Sequence, residues 1–428
     1  MCATVVVPLE HGRSDSGTIT LFVRKFPASR APKGQIWLIA GGPGESGASF
    51  YPLVETFRAS APGYDLIIPD HRGTGYSSRL CQTEEAIGSD GGSAMEGAEW
   101  GTCFAALNKD IERTRAFTIS NAAFDLQKLM DRFSKRGRTY LYGVSYGTQL
   151  IIRTLAIAPP KRLTGVILDS LVPPETTMMW DLSRRSAVVD HVGRKSLAAC
   201  EINAECRAQF ATSVEDAMKK IVDDLKTAEL IGTDPKYLFA SLLDDPATRD
   251  QIPAIMAGLL RKDTAPLRQA QSSFTPYATA LTNYPQGQPS IPLTSLISRS
   301  ENNARPELSA DQIAEEANSF LFASPLPGLL LQPGIPIYKR DASFGALPKR
   351  MPQTLVLQGD LDPKTPYEGA KAHIALLPRS GDISLTTVMG GPHFLLFTAP
   401  ACFKEAVRHF IAKRSSHVAN CEVNSSAR

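Results

Sequence analysis

The sequence predicts an α/β fold: a mostly parallel sheet of eight strands flanked by helices, interrupted by a mainly helical insertion. Two observations predict it. Short apolar runs ending in Gly, Asp or Ser alternate with helical patterns over 1–171, and the alternation resumes over 347–428. Between them, 172–346 carries helical stretches and Pro-rich loops without a convincing run of parallel strands. Strand–helix alternation builds parallel sheets with both faces covered. The first and last segments therefore form one core, and the middle segment is expected to cap it.

Taken in order, "ATVVVPLE" and "TITLFVRKF" are β-rich runs joined by the polar "HGRSDSG", which reads as a hairpin. "IWLIAGGPG", "YDLIIPD", "YLYGVS" and "LTGVILDS" follow as buried parallel strands. "NAAFDLQKLMDRFS" has helical spacing, with Asn121 as its expected N-cap. "YGTQLIIRTLAIA" is a helix that stops before Pro159 and Pro160. "SVEDAMKKIVDDLKTAEL" and "RDQIPAIMAGLLRK" are helices of the insertion. The core returns with the strand "QTLVLQGDLDP", the helix "YEGAKAHIALL", the strand "ISLTTVMGGPH" and the helix "CFKEAVRHFIAKR".

At 428 residues and a formal charge of +3, the chain carries no basic stripe or zinc-finger spacing that would argue for nucleic acid, and no apolar run long enough to span a membrane. Its seven cysteines form no CxxC and sit beside no histidines at zinc-ligand spacing, so no metal is expected. Six fall into local pairs, Cys81 with Cys103, Cys200 with Cys206 and Cys402 with Cys421, which favour disulfides and an oxidising compartment. The chain opens directly into a strand. A removed signal peptide, and a partner for Cys2, are therefore expected, with a secreted or periplasmic location.

The chemistry centres on "YLYGVSYGTQL", where a strand breaks at Ser145 between Gly143 and Gly147. Gly-x-Ser-x-Gly at a strand-to-helix turn is a nucleophile elbow, and a chain of this composition gives roughly 0.1 such matches by chance. A serine hydroxyl needs a base, and the base needs an orienting carboxylate. Of the five downstream histidines, His191 falls in the insertion, His373 inside a helical pattern, and His409 and His417 near the C-terminus. His393 alone follows directly on a strand-like run, at the edge where open α/β sheets gather their catalytic groups. "LVLQGDLDP" offers Asp360 and Asp362; Asp362 lies further into the loop and is the expected acid, while Asp360 could brace the turn. The backbone N–H groups of Tyr146 and of Gly42, in "LIAGGPGESG", are the expected oxyanion-hole donors. That glycine loop has no Walker lysine and matches no dinucleotide fingerprint. No cofactor is needed.

With these residues placed, the sequence resembles a branch of the α/β-hydrolases, the proline iminopeptidases and secreted tripeptidyl-aminopeptidase-like serine hydrolases. "CATVVVPLEH" resembles their first strand, "GGPGESG" their glycine loop and "DHRGTGYSS" their Arg-Gly-x-Gly-x-Ser turn. "GVSYGTQL" fits their elbow, "GDLDPKTP" their acid loop, "GGPH" their histidine loop, and the C-terminal cysteine pair looks like theirs. The resemblance implies an exopeptidase that holds a cationic α-amine with carboxylates, for which Glu301 and Glu45 are the candidates. It departs at Ser298, where such proteins often carry a cysteine. Arg72 reads as a brace between loops and His71 as an ordinary loop histidine. A carboxylesterase acting on small esters, or an acyltransferase, would use the same triad. A non-catalytic binding protein fits poorly with an intact triad, and an epoxide hydrolase or dehalogenase would carry aspartate at the elbow.

Overall fold

Alternating apolar residues in β1 (Cys2–Pro8) and β2 (Thr18–Phe26) bury one face of an antiparallel hairpin. β3 (Gly34–Ile39), β4 (Tyr64–Asp70), β5 (Arg138–Val144), β6 (Gly165–Asp169) and β7 (Gln353–Gly359) are buried almost throughout, as strands covered on both faces must be. β8 (Ile383–Met389) follows, and β9 (Cys421–Glu422) is a two-residue strand beside it. The computed structural model describes residues 1–134, 137–272, 275–413 and 420–423.

The sheet runs β1-β2-β4-β3-β5-β6-β7-β8-β9. β2 pairs antiparallel with β1 and β4, and every other pairing is parallel. The expected eight strands are thus joined by a ninth, too short to leave a sequence pattern. The cysteine at its start is bonded to Cys402 in the helix Pro400–Lys413, which ties the strand to the core. Cys81–Cys103 and Cys200–Cys206 are also bonded, and Cys2 is exposed and free.

One expected boundary moves. The helix of residues Ile119–Phe133 is capped by Thr118, whose side chain accepts from the Asn121 amide. Asn121 lies inside the first turn, donating to the Ala116 carbonyl and accepting from the His11 amide. The segment "SVEDAMKKIVDDLKTAEL" is likewise two helices, Val214–Val222 and Leu225–Ile231, because Asp224 caps the second.

Between β6 and β7 the described residues form helices and loops, with no strand. Side chains such as Val189, Met218, Phe239, Ile255 and Phe322 gather there into a core separate from the two that flank the sheet. The helix Ile291–Ser300 reaches back to the core: a Cβ added to Gly44 would fall 2.2 Å from the Ser290 carbonyl. The loop after β3 is thereby clamped against the insertion.

Candidate active site

The turn after β5 is built on two close approaches. A Cβ at Gly143 would fall 2.7 Å from the Gly147 carbonyl oxygen, and one at Gly147 would fall 2.4 Å from that of Ile39. Only glycine lets the helix Tyr146–Ile157 start so close to β3. Ser145 sits between them at φ 54°, ψ −125°, a conformation that costs a non-glycine residue on the order of 1–3 kcal/mol. Its amide is held by the Asp169 carbonyl at 3.1 Å, and its own carbonyl accepts from Thr148 Oγ1 at 2.7 Å. Strand end, turn and helix start therefore fix the serine at the C-terminal edge of the sheet.

Asp362 lies in the loop after β7 and is fully buried. It accepts from the Lys364 and Thr365 amides at 2.8 Å each, from Thr365 Oγ1 at 2.7 Å and from His393 Nδ1 at 2.9 Å. Burial pushes this carboxyl up, but the His393 ring and the Thr365 donors outweigh it and hold it below the usual value. Asp360 accepts from the Gly390 amide at 2.7 Å and so ties the acid loop to the histidine loop.

His393 is followed by Phe394 at φ 61°, whose amide donates to Ser170 Oγ. The next two amides, of Leu395 and Leu396, donate to the buried Asp169 carboxylate, which also accepts from Tyr142 at 2.9 Å. The histidine loop is thus anchored to the end of β6. The other histidines are occupied or apart. His71 is buried, is pushed down to about 4 mainly by that burial, and contacts the Arg72 carbonyl. His373 contacts the Val172 carbonyl, His191 is exposed, and His417 lies outside the described residues. Arg72 forks onto Asp125 and donates to the Leu9 and Ala116 carbonyls, a loop brace.

Ser145, Tyr146, Gly42 and His393 line one cavity of about 310 Å³, together with residues between β6 and β7 such as Trp180 and Leu326. Gly42 has φ +40°, and a Cβ there would lie 3.1 Å from the Glu45 side chain. Glu45 also lines the cavity. Burial raises its carboxyl, partly offset by Lys364, His393 and the Gly41 amide.

Glu301 is placed elsewhere. The run before it is a helix, not a strand, and Glu301 caps its end, away from the cavity lining. Its carboxylate meets Arg153 Nη2 at 2.7 Å and the Tyr338 hydroxyl at 2.8 Å. The same arginine nitrogen holds Glu175 at 2.7 Å, and Glu175 does line the cavity. Thr365, Asp169, Glu175 and Arg185 escape a sequence reading. Only Thr365 had a local signal, standing three residues after Asp362 where a side-chain-to-backbone turn forms.

The model of the alpha/beta hydrolase fold family matches residues 36–400. "Serine protease Hip1" of Mycobacterium tuberculosis (strain ATCC 25618 / H37Rv) is 25% identical over 224 residues, 48% of this chain and 42% of that protein. The match thus spans less than half of that relative's length. Among solved structures, a proline iminopeptidase of Mycobacterium smegmatis overlays 96% of this chain and 98% of its own at 14% identity and a TM-score of 0.43. An esterase of Thermogutta terrifontis overlays the same shares at 14% identity and a TM-score of 0.41. At these scores neither overlay bears on the chemistry.

Proposed function

The chain belongs to the alpha/beta hydrolase fold family, and from that premise we propose that it is a serine hydrolase, acting as an exopeptidase on free N-termini. The observation that carries the hydrolase reading is the meeting of Ser145, on its strained turn, and His393, held by buried Asp362, at one cavity. His393, oriented by Asp362 through Nδ1, takes the Ser145 proton as the oxygen attacks the substrate carbonyl. The amides of Gly42 and Tyr146 receive the oxyanion, and losing one such donor costs roughly 2.7–4 kcal/mol. His393 then protonates the leaving amine, and water releases the acyl group. No hydrogen bond joins the Ser145 hydroxyl to the His393 ring among the described residues; such contacts commonly tighten on substrate binding.

The exopeptidase reading is supported by carboxylates in the cavity lining, Glu45 and Glu175 beside Asp181, where a substrate amine would find opposite charge. Glu301 acts behind them, sharing Arg153 with Glu175. The residues of 172–346 act as a cap, contributing Trp180, Leu182 and Leu326 to the cavity wall. Three disulfides suit a secreted enzyme. The apolar wall of Val172, Pro173, Trp180 and Leu182 favours a second reading, a carboxylesterase.

Hydrolysis of a free-amine peptidyl anilide, its N-acetylated twin and a short-chain ester separates the two, with Ser145→Ala as the blank. The exopeptidase reading predicts that acetylation abolishes cleavage of the anilide. Turnover of the ester alone would make the chain an esterase.

A further inference from the structure

Arg185 opens the helix Arg185–Ile202 and lines the cavity that holds Ser145 and His393. It is 8% exposed. Among the described residues its guanidinium makes no hydrogen bond and no ion pair, and its Nε is buried without a partner. The other deeply buried arginines differ. Arg72 forks onto Asp125 and backbone carbonyls, and Arg153, although its Nε is also without a partner, is neutralised through its Nη atoms by Glu175 and Glu301 and bonded to Ser120.

A buried cation without a partner is costly, and its fork of donors is shaped for a carboxylate. The carboxylates nearby are committed elsewhere. Asp362 is held by His393 and Thr365, and Asp244 pairs with Lys364 at 2.9 Å. Asp181 accepts from Ser183 Oγ at 2.6 Å and from the Ala304 amide at 2.9 Å. Among the described residues its second oxygen has no partner, yet it does not reach ion-pair distance of Arg185. These three acids act on Arg185 only through space; burial lowers it to about 10, which leaves it charged at neutral pH.

We propose that Arg185 is the anchor for a carboxylate of the substrate, so that the cavity selects acyl compounds carrying a negative charge besides the scissile bond. The proposal rests on the reading of this cavity as a hydrolase site. Combined with Glu45 and Glu175, it makes short zwitterionic peptides the preferred class. The carboxylate belongs either to the C-terminus of a short peptide or to an acidic side chain.

Three matched pairs test it on the wild-type protein: an alanyl tripeptide against its C-terminal amide, an amidated peptide containing Glu against its Gln twin, and p-nitrophenyl hemisuccinate against p-nitrophenyl butyrate. A charge-assisted contact predicts at least about a tenfold higher kcat/KM for the anionic member, carried mainly by KM. The first pair reports a C-terminal source and the second a side-chain source. Arg185→Met collapses the ratio toward one, and Arg185→Lys, which keeps charge without the fork, retains part of it. Ratios near one in all three wild-type pairs would overturn the proposal. So would Arg185→Met lowering both members of a pair equally, since that marks a brace for the acid loop. If no peptide is cleaved but the ester pair shows the ratio, the anchor stands and the exopeptidase reading falls.

Discussion

Thr365 sits between Asp362 and His393 and belongs to neither the base nor the acid. Its hydroxyl donates to Asp362 Oδ2 at 2.7 Å and lies 3.3 Å from His393 Nδ1. Its amide donates to the other Asp362 oxygen. Thr365→Val keeps the shape and amide and removes one donor to a charged acceptor, about 1.5–3 kcal/mol. We expect kcat to fall roughly 10- to 100-fold with KM little changed, read from steady-state kinetics. An unchanged kcat would mean that the backbone amides, Gln358 and His393 hold the acid without the hydroxyl. At this scale the sequence was legible where a residue stood at a strand end, as Ser145, Asp362 and His393 do. It was not legible for Glu301, whose partners lie far along the chain, or for Arg185, which has none among the described residues.

The strand-turn-helix element around Ser145 depends on the approach of its helix to β3. Gly147→Ala would drive a methyl against the carbonyl oxygens of Ile39 and Ala40, at 2.4 and 2.8 Å, buried backbone atoms at and just past the end of β3. Relief requires the helix to shift, which moves the Ser145 and Tyr146 groups together. Overpacking of this kind costs about 1–3 kcal/mol. The variant should melt lower and lose activity beyond what its folded fraction explains, as circular dichroism and kinetics on the same sample would report. Element types were readable because apolar runs and helical spacing persist over whole segments. Boundaries were less so: Thr118 and Asn121 can both cap, and only the tertiary partners of Asn121, His11 and Ala116, decide between them. Two residues, as in β9, carry no period at all.

Across the whole molecule, three disulfides close loops of different length, with separations of 22, 19 and 6 residues. On chain entropy alone, removing Cys81–Cys103 or Cys402–Cys421 costs about 3 kcal/mol and removing Cys200–Cys206 about 2. Paired Cys→Ser variants in urea should show that order. The opposite order would locate the stability of the chain in the insertion. The break in strand–helix rhythm over 172–346 marks this insertion in the sequence, but not which of its residues reach the cavity. That depends on how it seats against the glycine loop through Ser290 and Thr294.

A nucleophilic Ser145, activated by His393, should react with a fluorophosphonate, and intact and peptide mass spectrometry after such treatment locates the adduct. One adduct is expected, on the peptide carrying Ser145, lost in Ser145→Ala and strongly slowed in His393→Ala. No adduct, or one on another residue with Ser145→Ala still active, would contradict it.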